Sequence, residues 1–150
     1  MPLTVRAQFG EEAGDEAAAG RALLASARRA ARAALAVRGV RQGEISITLL
    51  SDEAIERLNA QWLGHSGPTD VLSFPLFAAN EAPVGDVYIG LDQARRQADA
   101  LGAHLEEEVA RLAIHGTLHV LGMDHPMGPA RESSEMWQVQ ERVLATVMKP

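Results

Sequence analysis

Three of the chain's five histidines fall within eleven residues, in "HGTLHVLGMDH" (115–125). His115 and His119 stand four apart. On a helix such positions share a face, with Cβ atoms about 6 Å apart, so both rings can reach one ion at metal–nitrogen distances of about 2.0–2.1 Å. Gly122 suits the left-handed residue that ends a helix and turns the chain. "MDH" then returns His125 to the same ion from outside the helix. The spacing H-x3-H-x2-G-x2-H builds a three-imidazole face with a reason for each element. The chain has no cysteine, so a metal must be held by His, Asp or Glu.

Three protein ligands leave a coordination position open, which favours a catalytic over a structural centre. Such a centre activates water or polarises a phosphoryl or carbonyl oxygen. His115, His119 and His125 are therefore the expected catalytic and metal-binding residues. Asp124 is a candidate to orient a ring nitrogen from behind. The pattern otherwise matches the H-E-x-x-H-x-x-G-x-x-H motif of metzincin proteases, where the glutamate is the general base. Here Gly116 occupies that position. Peptide cleavage would need a carboxylate from elsewhere, such as Asp70 or Asp86. His65 and His104 are isolated and read as surface residues.

The elements that must position these residues alternate. "LTVRAQF" (3–9) alternates with period two and reads as a strand. A loop, "GEEAGDEAAAG", leads to a helix over 21–39, which Gly39 ends. "EISITLL" (44–50) is a strand. Ser51 is an N-cap for the helix "DEAIERLNAQWL", which stops at Gly64. "TDVLSFPLF" (69–77) and "GDVYIGL" (85–91) are strands. Asp92 is read as the cap of a helix to Leu101. The histidine helix spans 105–122, "MDHPMGPA" is a loop, and the last helix spans 131–149. About four strands and about five helices make one α+β domain over residues 1–150, a sheet with helices packed on it. Val71, Leu72 and Phe74 are expected in the core, with Thr69, Asp70 and Ser73 hydrogen-bonding nearby. Met136 and Trp137 are read as core, Met136 beneath the metal site.

With 150 residues and 47% apolar content, the chain can bury a core. "MPLTVRAQFG" is no signal peptide, and no apolar run reaches membrane-spanning length. A soluble cytoplasmic protein without a membrane partner is the expectation. Net charge is −6, which weighs mildly against nucleic acid. Yet residues 17–43 hold six arginines and no acid. A basic face on an acidic body can bind phosphate, because local potential outweighs net charge; a solvated helix face is the plainer account.

The sequence resembles the YbeY family of bacterial endoribonucleases, which act in ribosomal RNA maturation. "LNAQW" (58–62), "GPTDVLSFPL" (67–76), "GDVYIG" (85–90), "HGTLHVLGMDH" (115–125) and "EMWQVQERVL" (135–144) carry the likeness in order. The resemblance implies a mixed sheet with helices, a cleft, and one zinc ion on His115, His119 and His125. It implies cleavage of single-stranded RNA, trimming of the small-subunit ribosomal RNA 3′ end and ribosome quality control, with ribosomal proteins as further candidate partners. Family members carry an arginine where this chain has Leu63. Leucine cannot bind phosphate or stabilise its developing charge, so Arg6, Arg28 or Arg32 would have to substitute.

Two rival functions are compatible with the residues alone. One is a metalloprotease or amidase with a base supplied by Asp70 or Asp86. The other is a non-catalytic ribosome-associated module whose zinc fixes the "GMDH" loop. Nickel or iron would also accept three imidazoles.

Overall fold

The computed structural model describes residues 2–10 and 17–149. The elements are β1 (Leu3–Phe9), α1 (Ala17–Val37), β2 (Gly43–Leu50), α2 (Asp52–Leu63), β3 (Val71–Pro75), β4 (Val84–Gly90), α3 (Leu91–Leu101), α4 (Leu105–Val120), a 3₁₀ helix (Gly128–Ser133) and α5 (Glu135–Val147). Most of the loop expected before α1 lies outside the described residues.

The four strands form one mixed sheet in the order β1-β2-β4-β3. β1, β2 and β4 run parallel, and β3 pairs antiparallel with β4 from Val71↔Ile89 to Pro75↔Gly85. Each parallel neighbour needs a crossover. α1 supplies the first; α2 and β3 together fill the second. Strand alternation sorts the faces. Gly43, Ile45, Ile47 and Leu49 of β2 are buried, while Glu44, Ser46, Thr48 and Leu50 are half-buried. The buried face packs against α1 and α4 in one core with Ala27, Ala31, Leu35, Val87, Ile114 and Leu118. The alanines of α1 bring that helix close. Its arginines stay outside or half-buried.

The expected α+β class, strand number and helix number hold, with a 3₁₀ turn added. Three local expectations are corrected. Asp92 does not cap α3: the N-cap position is Gly90, and the Asp92 carboxylate instead accepts the Asp52 N–H at the start of α2, at 2.9 Å. The last helix begins at Glu135, not 131. Ser134 is extended there, and its hydroxyl accepts the Trp137 N–H. The strand expected over 69–77 pairs only over Val71–Pro75. Ser51 caps α2 as expected, accepting from the Ala54 N–H. Among the described residues, no helix is long and apolar enough to cross a membrane.

Candidate metal centre

α4 lies across the sheet with nearly every residue from Glu108 to Leu118 buried. Its approach is close because Gly116 meets β4 without a side chain. A Cβ there would stand 2.5 Å from Val87 Cγ1 and 3.1 Å from Ser73 Oγ. The Ser73 hydroxyl donates to the Gly116 carbonyl, which ties α4 to β3. A glutamate in place of Gly116 would point into the sheet, not toward the histidines. The glycine is therefore a packing residue.

α4 ends in a Schellman turn. The Gly122 N–H donates to the His119 carbonyl and the Met123 N–H to the Leu118 carbonyl. Gly122 takes φ +93°, and the chain reverses to bring His125 beside His115 and His119. Ring centroids lie 4.6, 5.1 and 5.2 Å apart. One ligand nitrogen from each ring falls within 4.8 Å of the other two, so the group could hold a metal ion.

Each ring has a carbonyl oxygen behind it. His115 Nδ1 lies 2.6 Å from Gln140 Oε1, His119 Nδ1 3.0 Å from the Met123 carbonyl, and His125 Nδ1 3.1 Å from the Pro126 carbonyl. A carbonyl only accepts, so each Nδ1 carries the proton and each Nε2 presents a lone pair. The Gln140 amide cannot be reversed, because its NH2 donates to the Glu141 carboxylate at 3.0 Å. Glu141 in turn accepts from Arg111 Nε at 3.1 Å, and Arg111 also pairs with buried Glu108. A polar chain thus runs from Arg111 through Glu141 and Gln140 to His115.

His115 Nε2 and His119 Nε2 face each other at 3.1 Å. Two lone pairs repel at that distance unless a cation lies between them. A tetrahedral ion with bonds of about 2.0–2.1 Å separates its ligands by roughly 3.3 Å, so the donor set fits a metal. Burial disfavours the charged form of the two rings on α4. Burial, against the Gln140 hydrogen bond, lowers the His115 pKa to about 4. Burial lowers that of His119 as well, followed by the charge of His125.

The remaining expected residues divide. Asp124 orients no ring; its carboxylate accepts the His125 backbone N–H at 2.8 Å. The orienting role passes to Gln140 and two backbone carbonyls. Asp70 lines a cavity of about 510 Å³ with His115, and its carbonyl accepts the Gly90 N–H. The Thr69 carbonyl crowds the same glycine. Asp86 alternates with Gly85 and Val87, which face α4, so it lies on the opposite side of the sheet from the histidines. Arg6 pairs with Glu44 on the sheet. Arg28 and Arg32 lie on α1 and do not line the cavity. Leu63 is exposed at the end of α2, and His65 and His104 are exposed. Met136 is buried in the core. Trp137 instead lines the cavity, as does Arg131, which sequence reasoning missed.

The chain has relatives of known family. The profile of Endoribonuclease YbeY matches residues 11–148. An Endoribonuclease YbeY of Thermus thermophilus is 42% identical over 133 residues, covering 83% of this chain and 91% of its own length. That of Moorella thermoacetica is 40% identical over 140 residues, covering 85% and 88%. The solution structure of TM1509 from Thermotoga maritima has the same fold, with a TM-score of 0.65 at 24% identity over 96% of this chain and 89% of that one. The match embraces the whole histidine turn, the strands beneath it and the helix behind it, and the chain belongs to the Endoribonuclease YbeY family.

Proposed function

We propose that the protein is a zinc-dependent endoribonuclease that cuts single-stranded RNA and acts in the cytoplasm on ribosomal RNA. Small-subunit 3′-end maturation and ribosome quality control are the processes it would serve. The observation that carries this reading is the pair of facing Nε2 atoms of His115 and His119, 3.1 Å apart with both Nδ1 atoms bonded to carbonyls. Family membership supplies the substrate class.

His115, His119 and His125 would hold the ion and are the catalytic set. Three neutral imidazoles suit zinc, and they leave room for a further ligand. A bound zinc ion supplies Lewis acidity toward a phosphoryl oxygen and toward water. The residues' own work is to hold that geometry. Gln140 and the Met123 and Pro126 carbonyls fix the ring planes, and Asp70 lines the same cavity as His115. The metalloprotease alternative loses one of its two candidate bases, because Asp86 lies across the sheet, and Gly116 has no room for a substitute; Asp70 stays on the cavity wall.

The test is to incubate zinc-loaded protein with labelled single-stranded RNA and with DNA of the same sequence. Cleavage of RNA that a chelator abolishes is expected. A 2′,3′-cyclic phosphate on the products identifies the 2′-hydroxyl as nucleophile; cleavage of the DNA, or a 5′-phosphate opposite a 3′-hydroxyl, identifies water. Intact RNA beside a cleaved peptide library would contradict the reading.

A further inference from the structure

The cavity that opens at His115 runs between α3, α4 and α5 and contains two arginines. Arg111 is engaged, with Glu108 and Glu141 as partners. Arg131 is different. It forms no ion pair among the described residues, although Glu132 lines the same cavity. Its Nε is buried without a hydrogen-bond partner. Its guanidinium carbon lies 5.6 Å from the centre of the Trp137 ring. Stacking on an aromatic face fixes the guanidinium plane while leaving its N–H donors free to point elsewhere.

The position is electrostatically costly as it stands. Arg131 and His115 line the same cavity. A fixed cation beside a group built to gather a metal cation is a like-charge juxtaposition. An anion lying between them reverses the sign of both interactions. A phosphodiester fits: one of its two non-bridging oxygens can accept from the guanidinium N–H donors while the other faces the histidines.

We propose that Arg131 is a phosphate-binding residue of this site, its guanidinium held on Trp137 to grip the RNA phosphodiester beside the three histidines. The proposal rests on the endoribonuclease reading. It assigns to the 3₁₀ helix before α5 the charge that the resemblance places at Leu63, and it replaces Arg6, Arg28 and Arg32 in that role.

The experiment compares zinc-loaded wild type, Arg131→Gln and Arg131→Lys. The probe is a fluorescein-labelled 2′-O-methyl oligouridylate, which keeps the phosphates and is checked for integrity on a gel. Anisotropy is read across a salt series, and zinc affinity is measured without RNA by chelator competition. Arg131→Gln should weaken binding about tenfold and reduce the log–log salt slope by about one. Arg131→Lys should restore the slope but only part of the affinity, because it keeps the charge and loses the fork. Zinc affinity should hold or rise in Arg131→Gln. A purely structural role on Trp137 would lower thermal stability and leave the slope unchanged. If wild type binds and Arg131→Gln matches it in affinity and slope, the role of Arg131 is refuted while the endoribonuclease reading survives. If zinc-loaded wild type binds no RNA, both fall. Should Arg131→Gln lose its helical circular dichroism, an Arg131→Lys variant equal to wild type in affinity would refute the fork contact.

Discussion

Gln140 on α5 places its side-chain oxygen 2.6 Å from Nδ1 of His115 on α4. This one bond sets the tautomer of a buried histidine. It also couples the three-histidine cluster to the Glu141–Arg111 pair behind it.

Replacing Gln140 by leucine keeps the volume and removes the acceptor. The ring is then free to rotate or change tautomer, so zinc affinity should fall roughly 10- to 100-fold. Competition against a fluorescent chelator measures it. Unchanged affinity would mean that packing alone orients His115.

Gly116 should tolerate no side chain. In Gly116→Ala the new Cβ meets Val87 Cγ1 at 2.5 Å, and overpacking of this kind costs about 1–3 kcal/mol. Chemical denaturation would read the loss. Gly116→Glu, which completes the protease-like motif on paper, should be less stable still and acquire no peptidase activity. Peptide hydrolysis by that variant would overturn the packing account.

The metal-free protein should lose stability on acidification. The folded His115 pKa is lowered to about 4 from 6.5, chiefly by burial. A group with a depressed folded pKa binds more protons when unfolded, so stability is full above the unfolded value and falls as pH drops toward the folded one. Between about pH 7.5 and about pH 4.5 the loss should be about 2–3 kcal/mol from this residue. Urea unfolding of the stripped protein measures it, and His115→Gln should flatten the dependence. Equal slopes in the two proteins would remove His115 as the source.

Ser134→Ala removes the hydroxyl that accepts the Trp137 N–H at the start of α5. A lost N-cap costs about 1 kcal/mol. Because α5 carries both Gln140 and Trp137, zinc affinity should fall slightly with stability. A thermal melt with no change would show that the cap is dispensable.

Much of this arrangement was legible in the sequence, and what was legible was local. His115 and His119 announce themselves by helical spacing, Gly122 by the turn it must make, and Ser51 by its place before Asp52 and Glu53. These features depend on residues within one or two helical turns. Gln140 and Arg131 did not show, since their roles arise only when α5 packs beside α4. Gln140 is 25 residues from its histidine partner. Trp137 was read as core because an aromatic residue on an amphipathic helix looks the same whether it faces a core or a cavity. The same limit explains Gly116. Its spacing pointed to a missing base, whereas its cause is the approach of α4 to Val87 on another element. Asp92 misled for a related reason: an acid beside a helix start suits a cap, but a neighbouring helix offered its carboxylate a different N–H.

If His115, His119 and His125 hold one metal ion and RNA cleavage needs it, metal and activity should be lost together. The most direct measurement pairs metal content by mass spectrometry with cleavage of labelled single-stranded RNA, in wild type and in His119→Ala verified as folded by circular dichroism. About one zinc per wild-type chain with cleavage is expected, and neither in the variant. Cleavage by a metal-free, folded His119→Ala protein would contradict it.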